Sequence, residues 1–182
     1  SFNKGKRDSE FKLEAKTGEL RNNTAVIEAM TEDWNRFLSV VQTDKEGNRL
    51  NAVKVDGVDS TDEKVIGKRL QEIAKNATTG GLYKPVGELY GFPIKVVSER
   101  ILKEGLEFTD NRFVVERNYK YTYNNGHLAM ADPVAAARNF LNALERIPSI
   151  IDQYKGKNEV LEKEVPQLQE IAGKVWKKEN EL

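Results

Sequence analysis

Apolar residues recur at every seventh position near the beginning of this chain, and this repeat restricts the possible fold more than any other feature. The series consists of Leu13, Leu20, Ile27, Trp34 and Val41, with Met30 and Phe37 at the alternate position of its second half. Apolar side chains at this spacing form one seam along a helix, and that seam must be buried against a partner. Lys16 and Asn23 lie at seam positions, so we expect the first half of the helix to be frayed or completed by further chain. Residues 44–48 then read as a stop signal.

Residues 148–182 carry a fuller version of the same repeat. The seam positions from 147 onward are Ile147, Ile151, Tyr154, Asn158, Leu161, Val165, Leu168, Ala172, Val175, Glu179 and Leu182. Asn158 occupies a position where a buried polar residue would fix the register of a helix pair at some loss of stability. Pro166 lacks an N–H donor and disfavours helix at the residue before it, so we expect a kink or a break there.

Two heptad helices at opposite ends of one chain predict an antiparallel coiled-coil stalk with a globular head between them. The predicted domains are an N-terminal stalk helix over residues 1–44, an α+β head over 45–147 and a C-terminal stalk helix over 148–182. The alternative is a coiled coil between two chains, which would make the protein a dimer. The seam for such a partner consists of Leu161, Val165, Leu168, Val175 and Leu182.

The middle of the chain predicts an α+β fold, with an antiparallel β meander packed against helices. A short strand over 52–55 precedes a helix for which Ser60 and Glu63 have capping-box spacing. Further strands are predicted over 83–90, 94–98, 106–108, 112–116 and 118–123, with a turn at Asp110-Asn111. Asp132-Pro133 then predicts the start of another helix, because Asp is a good N-cap and Pro suits the first turn.

Composition excludes several classes of protein. Twenty-nine basic residues balance 29 acidic ones, which is unlike a dedicated DNA-binding module, and the absence of cysteine excludes disulfides and thiolate metal sites. No apolar run approaches the roughly 20 residues that cross a bilayer, and the first residues lack the apolar core of a signal peptide. We therefore expect a cytoplasmic chain, cut from a longer protein, with no membrane partner.

The sequence contains no recognisable catalytic or cofactor-binding motif. Gly67-Lys68-Arg69 lacks the upstream glycine and the hydroxyl residue of a P-loop, and one histidine with scattered carboxylates gives no metal-ligand spacing. His127 could act as a lone acid or base, but a histidine without a neighbouring Asp or Ser is more often structural. We therefore expect no cofactor, no metal and no catalytic residue, so that this chain is not itself an enzyme.

One group of residues suggests contact with nucleic acid. Tyr119, Tyr121 and Tyr123 alternate along one predicted strand, and aromatic rings beside basic residues can stack with single-stranded bases. The basic neighbours are Lys84, Lys95, Arg112 and Arg117. The alternative is that the tyrosine rings are buried under the helix that follows, or fill cross-strand pairs.

Seven stretches of the chain resemble a known group of proteins. They are ELRNN at 19–23, DWNRF at 33–37, DKEGNRLN at 44–51, STDEKVIG at 60–67, GELYGF at 87–92, YKYTYNNG at 119–126 and ARNFLNALERIPS at 137–149. The chain resembles the C-terminal region of very large proteins on Bacteroides-type mobile elements, which combine a Swi/Snf-type helicase with a DNA adenine methyltransferase-like region. None of the seven stretches is a catalytic motif, so no catalytic residue is carried over.

The resemblance implies association with a DNA-acting ATPase or methyltransferase, on an element such as a conjugative transposon. We therefore expect a non-catalytic accessory domain that positions the motor or contacts DNA, with DNA and the remainder of the parent polypeptide as its partners. The alternative is a coiled-coil interaction or dimerisation module without nucleic-acid contact.

Overall fold

The computed structural model describes residues 2–180, and the side chains of all of these except 2, 3, 175, 176 and 178–180. It confirms the predicted α+β class. The helices are α1 (Phe2–Val40), α2 (Glu63–Asn76), α3 (Pro133–Leu141) and α4 (Ile147–Asn180). The strands are β1 (Val53–Val55), β2 (Val58–Ser60), β3 (Lys84–Leu89), β4 (Phe92–Lys103), β5 (Leu106–Glu116) and β6 (Lys120–Tyr121). Short 3₁₀ segments cover Asn124–Gly126 and Leu144–Arg146.

The chain divides into two structural units. One contains the residues up to Thr31 together with those from Ser149 onward, and the other is Glu32–Pro148. Helix α1 supplies residues to both units, because it continues to Val40. The second unit therefore begins inside α1, whereas the predicted head begins at residue 45.

The first unit is an antiparallel pair formed by α1 and α4, as the two heptad repeats predicted. Lys16 lies 3.2 Å from Glu164, while Asn158 donates a hydrogen bond to Thr24 over 3.4 Å. The later of these two α1 residues thus contacts the earlier of the two α4 residues, so the two helices run antiparallel. Leu161 is buried on this seam.

One alternative within each of two expectations about these helices is wrong. Helix α1 is helical from Phe2, so its weakly apolar first half is not frayed. Helix α4 continues through Pro166, so the chain does not break at the proline. Buried Leu161 and half-buried Leu168 lie on either side of the proline, and their packing outweighs the one backbone hydrogen bond that proline removes. Val175 and Leu182 lie outside the described side chains.

The second unit contains a six-stranded antiparallel sheet in the order β2-β1-β3-β4-β5-β6. Strands β4 and β5 form a long hairpin whose turn is Glu104-Gly105, with φ angles of 53° and 77°. The turn predicted at Asp110-Asn111 is wrong, since both residues lie inside β5. Glycine adopts positive φ without steric cost, so Gly105 allows the tight reversal and the strand continues through the Asp-Asn pair.

Helices α2 and α3 pack closely against one another. Gly67 of α2 lies against the backbone of Pro133, where an added Cβ would approach the Pro133 carbonyl oxygen to 1.7 Å. Helix α3 begins at Asp132-Pro133 as predicted, with the Asp132 carboxylate accepting from the amide of Val134. The predicted Ser60 cap of α2 is wrong, because Asp62 caps the helix by accepting from Lys64, and Ser60 accepts from the Asp62 amide.

Candidate functional site

The three tyrosines predicted to form a stacking surface do not lie along one strand. Strand β6 ends at Tyr121, and the chain then turns into the 3₁₀ segment. Tyr121 is only 2 % exposed, Tyr119 is half-buried and Tyr123 is 38 % exposed. The predicted three-tyrosine stacking surface is therefore wrong, since no base can reach the ring of Tyr121. Arg146 rather than a neighbouring tyrosine lies over the Tyr123 ring, 5.8 Å from its centroid.

Three of the four predicted basic partners are paired with carboxylates. Lys95 lies 2.5 Å from Glu116, and Arg112 lies 2.7 Å from Glu99. Arg117 forms the third pair and is described below. Lys84 is exposed at the start of β3. A phosphate would have to compete with these carboxylates, which lowers the electrostatic attraction expected from the sequence.

The structure brings Arg117 and Tyr121 together around an aspartate that sequence analysis had not singled out. Asp33 is fully buried near the end of α1. Its hydrogen-bond partners include Arg117, Asn118 and Tyr121, and we call these four residues the Asp33 cluster. Its Oδ1 accepts from Arg117 at 2.8 Å and from the side-chain amide of Asn118 at 2.9 Å. Its Oδ2 accepts from the Tyr121 hydroxyl at 2.5 Å and from the backbone amide of Asn118 at 3.1 Å.

These four hydrogen bonds occupy the lone pairs of the Asp33 carboxylate, which has about four acceptor sites. Burial is the largest cause that raises the pKa of Tyr121, followed by its hydrogen bond to Asp33 and the charge of that carboxylate. Tyr121 therefore remains a neutral donor. Hydrogen bonds to Asp33 and then to Glu32 raise the pKa of Arg117, so its charge persists. A carboxylate saturated in this way is suited to holding α1 against the chain that joins β5 to β6, and not to proton transfer.

Only a weak indication of this cluster is present in the sequence. Asp33 directly precedes Trp34 of the heptad series, and an acidic residue beside a seam is ordinarily exposed. Its burial depends on Arg117 and Tyr121, which are more than 80 residues away in the chain. No local pattern reports such a contact.

A second feature of the Glu32–Pro148 unit is an open cavity of about 580 Å³. Its polar lining includes Arg49, Glu63, Tyr90, Arg138, Asn142 and Glu145. Val53, Ile66 and Leu141, all buried, form its apolar part. We call this the polar cavity.

Two ion pairs lie in the wall of the polar cavity. Arg49 contacts Glu145 at 2.6 Å and also donates to Asn142 at 3.1 Å through the same nitrogen. Arg138 contacts Glu63 at 2.8 Å through Nε. The wall therefore carries two positive and two negative groups.

The loop that supplies Arg49 is shaped by an aspartate. The Asp44 carboxylate accepts from the amides of Glu46 and Asn48, at 3.0 and 2.8 Å, and from the Asn48 side chain at 3.0 Å. The backbone hydrogen bond from Asn48 is the main cause that lowers the pKa of Asp44, followed by that from its side chain. The residues read from sequence as a stop signal thus form an ordered turn that presents Asn48 and Arg49 to the cavity.

Tyr90 also lines the polar cavity and is 6 % exposed. Its ring packs on Phe37 with centroids 5.8 Å apart, and its hydroxyl has no hydrogen-bond partner among the described residues. Burial is the main cause that raises the pKa of Tyr90; the charge of Arg49 opposes the shift, whereas Glu145 and Glu63 add to it. The sequence pattern predicts only that Tyr90 lies in a strand, because a pattern of residue types does not indicate whether a hydroxyl has a hydrogen-bond partner.

His127, the single histidine, lies on the surface with its side chain 46 % exposed. Its Nε2 is 2.8 Å from Asp110, which also lies 3.5 Å from Arg112. Within the described part of the chain, no group of three or more His, Asp or Glu residues could hold a metal ion. None of the helices described here is long and apolar enough to cross a membrane.

The fold and the Asp33 cluster define a class of small α+β domain whose sheet is held to a long N-terminal helix. Residues 38–144 match the family described as Domain of unknown function (DUF8438), and the chain belongs to that family. The matched range includes the polar cavity as far as Asn142, whereas Asp33 precedes it. Neither a curated protein nor a solved structure matches the chain.

Proposed function

We propose that this chain is a non-catalytic accessory domain of a cytoplasmic DNA-acting protein of the helicase or DNA methyltransferase-like class. Its role is to position the catalytic part of that protein through protein contacts. The class comes from the resemblance of the seven stretches described above. The positioning role comes from the geometry of the Asp33 cluster.

The observation that carries the proposal is the fully buried Asp33 with its four hydrogen bonds. A buried carboxylate without these donors would be strongly destabilising, so the cluster holds the end of α1 against the chain that joins β5 to β6. A contact that fixes one element against another within the Glu32–Pro148 unit is suited to a positioning role.

One further observation argues against DNA contact, and another argues against a coiled-coil dimer. Lys95, Arg112 and Arg117 are paired with carboxylates, and Tyr121 is buried. Leu161 of the predicted interchain seam is 3 % exposed within one chain, so that residue is already covered. This supports a monomer over the coiled-coil dimer.

DNA binding by the purified chain is the first test. Fluorescence anisotropy with labelled single- and double-stranded DNA at low and moderate salt would measure the affinity. We expect no salt-sensitive binding in the micromolar range, because three of the four predicted basic residues are paired with carboxylates. Micromolar binding that weakens with salt, and that is lost in Lys84→Glu but not in the matched Lys64→Glu, would replace positioning with DNA contact.

The second test uses the parent polypeptide, in which DNA-dependent ATP hydrolysis or methylation is measured. Asp33→Ala should lower that activity several-fold, because α1 loses its fixed placement. Glu32→Ala is the matched control, since Glu32 is 64 % exposed and contacts the same Arg117 at 3.0 Å. Equal activity of the Asp33→Ala variant and the wild type would contradict the positioning role.

A further inference from the structure

The polar cavity has the size and the lining of a binding site for a small molecule. Its volume of about 580 Å³ lies within the range of roughly 300–1,000 Å³ that is usual for ligand pockets. Such pockets combine apolar surface with a few convergent polar groups. Here Val53, Ile66 and Leu141 supply the apolar surface, and the two Arg–Glu pairs supply the polar groups.

Charge limits the ligands that fit. The Arg49–Glu145 and Arg138–Glu63 pairs cancel within the wall, so a ligand with a net charge would leave one charge uncompensated. Each guanidinium nevertheless has five N–H donors. The hydrogen bonds of Arg49 to Asn142 and Glu145 use one nitrogen, and that of Arg138 uses Nε. The other nitrogens can bind a carboxylate, while the paired glutamates can accept from an ammonium group.

Tyr90 lines the cavity, but its hydroxyl is not one of the groups that face a ligand. That hydroxyl is buried and lacks a hydrogen-bond partner among the described residues, so a molecule in the open cavity does not reach it. The polar groups available to a ligand are therefore those of the two Arg–Glu pairs.

We propose that the polar cavity binds a small zwitterion with one carboxylate and one ammonium group, as in a free α-amino acid. The guanidinium groups of Arg49 and Arg138 bind the carboxylate. Glu63 and Glu145 bind the ammonium group. This site is separate from the Asp33 cluster, and the proposal goes beyond the positioning role.

The test is a binding titration of the ¹⁵N-labelled chain by NMR. The side-chain amides of Asn48, Asn51 and Asn142 line the cavity and serve as reporters. Each of the common L-α-amino acids is added singly to about 10 mM, a concentration that detects millimolar affinity. For each one that binds, the analogues lacking the amino group or the carboxylate are titrated in parallel.

We expect at least one amino acid to shift these three reporters, and each single-charge analogue to bind at least about tenfold more weakly. Arg138→Gln should weaken binding about tenfold or more, and it should fold because that side chain is 66 % exposed. Lys64→Gln, on the exposed surface of α2, is the matched control.

Three results would overturn the proposal. One is that no amino acid shifts the reporters. Another is that a carboxylate or an amine alone binds as tightly as the zwitterion. The third is that the folded Arg138→Gln variant binds like the wild type.

Discussion

Asp33→Ala should be among the most destabilising single substitutions in the Glu32–Pro148 unit. The Tyr121 hydroxyl, in a side chain only 2 % exposed, would lose its acceptor and remain buried at a cost of about 1–3 kcal/mol. Arg117 is 35 % exposed and Asn118 is exposed, so water replaces most of what they lose. We expect the free energy of unfolding to fall by about 1–3 kcal/mol, mainly because the Tyr121 hydroxyl is left buried without an acceptor.

Urea denaturation followed by tryptophan fluorescence is a suitable assay, because Trp34 directly follows Asp33 and lies 5.2 Å from Phe37 between ring centroids. Glu32→Ala provides the matched control, since it removes an exposed carboxylate from the same Arg117 and should cost less than about 1 kcal/mol. A double-mutant cycle with Tyr121→Phe isolates the buried hydrogen bond and should give a coupling energy of about 1 kcal/mol or more. If Asp33→Ala cost no more than Glu32→Ala, the reasoning about burial would be refuted.

Three further predictions follow from local geometry and charge. Gly67→Ala should lower the free energy of unfolding by about 2–3 kcal/mol or more, because its methyl group meets backbone. Gly156→Ala, in open space on α4, should instead raise it by about 0.5–1 kcal/mol, and equal denaturation midpoints for the two variants would contradict this account. Asn158→Leu should raise the melting temperature of the helix pair, since the buried Asn158 Oδ1 has no partner among the described atoms; a lower melting temperature would show that its contact with α1 matters more. Burial raises the pKa of Tyr90 and Tyr121 above the ordinary value of 10.0. As the pH rises, the unfolded chain therefore releases these protons before the folded chain does. The free energy of unfolding should fall above about pH 10, by up to about 1.4 kcal/mol per pH unit for each tyrosine. Urea midpoints against pH should then fall less steeply in Tyr121→Phe than in the wild type, and an unchanged slope would contradict the assignment.

The elements that sequence predicted correctly are those determined by local chemistry. The start of α3 at Asp132-Pro133 follows from the preferences of an N-cap and of the first helical turn. The antiparallel pair of α1 and α4 follows from the heptad spacing, because a long apolar seam must be buried. Chain reversal at Glu104-Gly105 was missed, since glutamate at positive φ is uncommon and the Asp-Asn pair is the stronger turn signal.

The candidate sites could not be predicted in the same way, because they depend on contacts between distant residues. The sequence left open whether Tyr121 stacks with bases or is buried, and its partner Asp33 lies 88 positions earlier in the chain. Arg49 and Glu145 are separated by 96 positions. Alternation along a strand predicts which residues share a face, but it does not tell which face is covered.

The claim that Asp33 fixes the end of α1 on the sheet is tested most directly by measuring a distance between the helix and the sheet. The chain contains no cysteine, so spin labels can be attached only at introduced sites, and exposed Arg36 and Thr109 are suitable positions within one structural unit. Double electron–electron resonance then gives the distribution of distances between the two labels. We expect one narrow distribution for the otherwise wild-type chain and for Glu32→Ala, and a broad one for Asp33→Ala. An equally narrow distribution in a folded Asp33→Ala variant would contradict the claim that this buried carboxylate positions the helix.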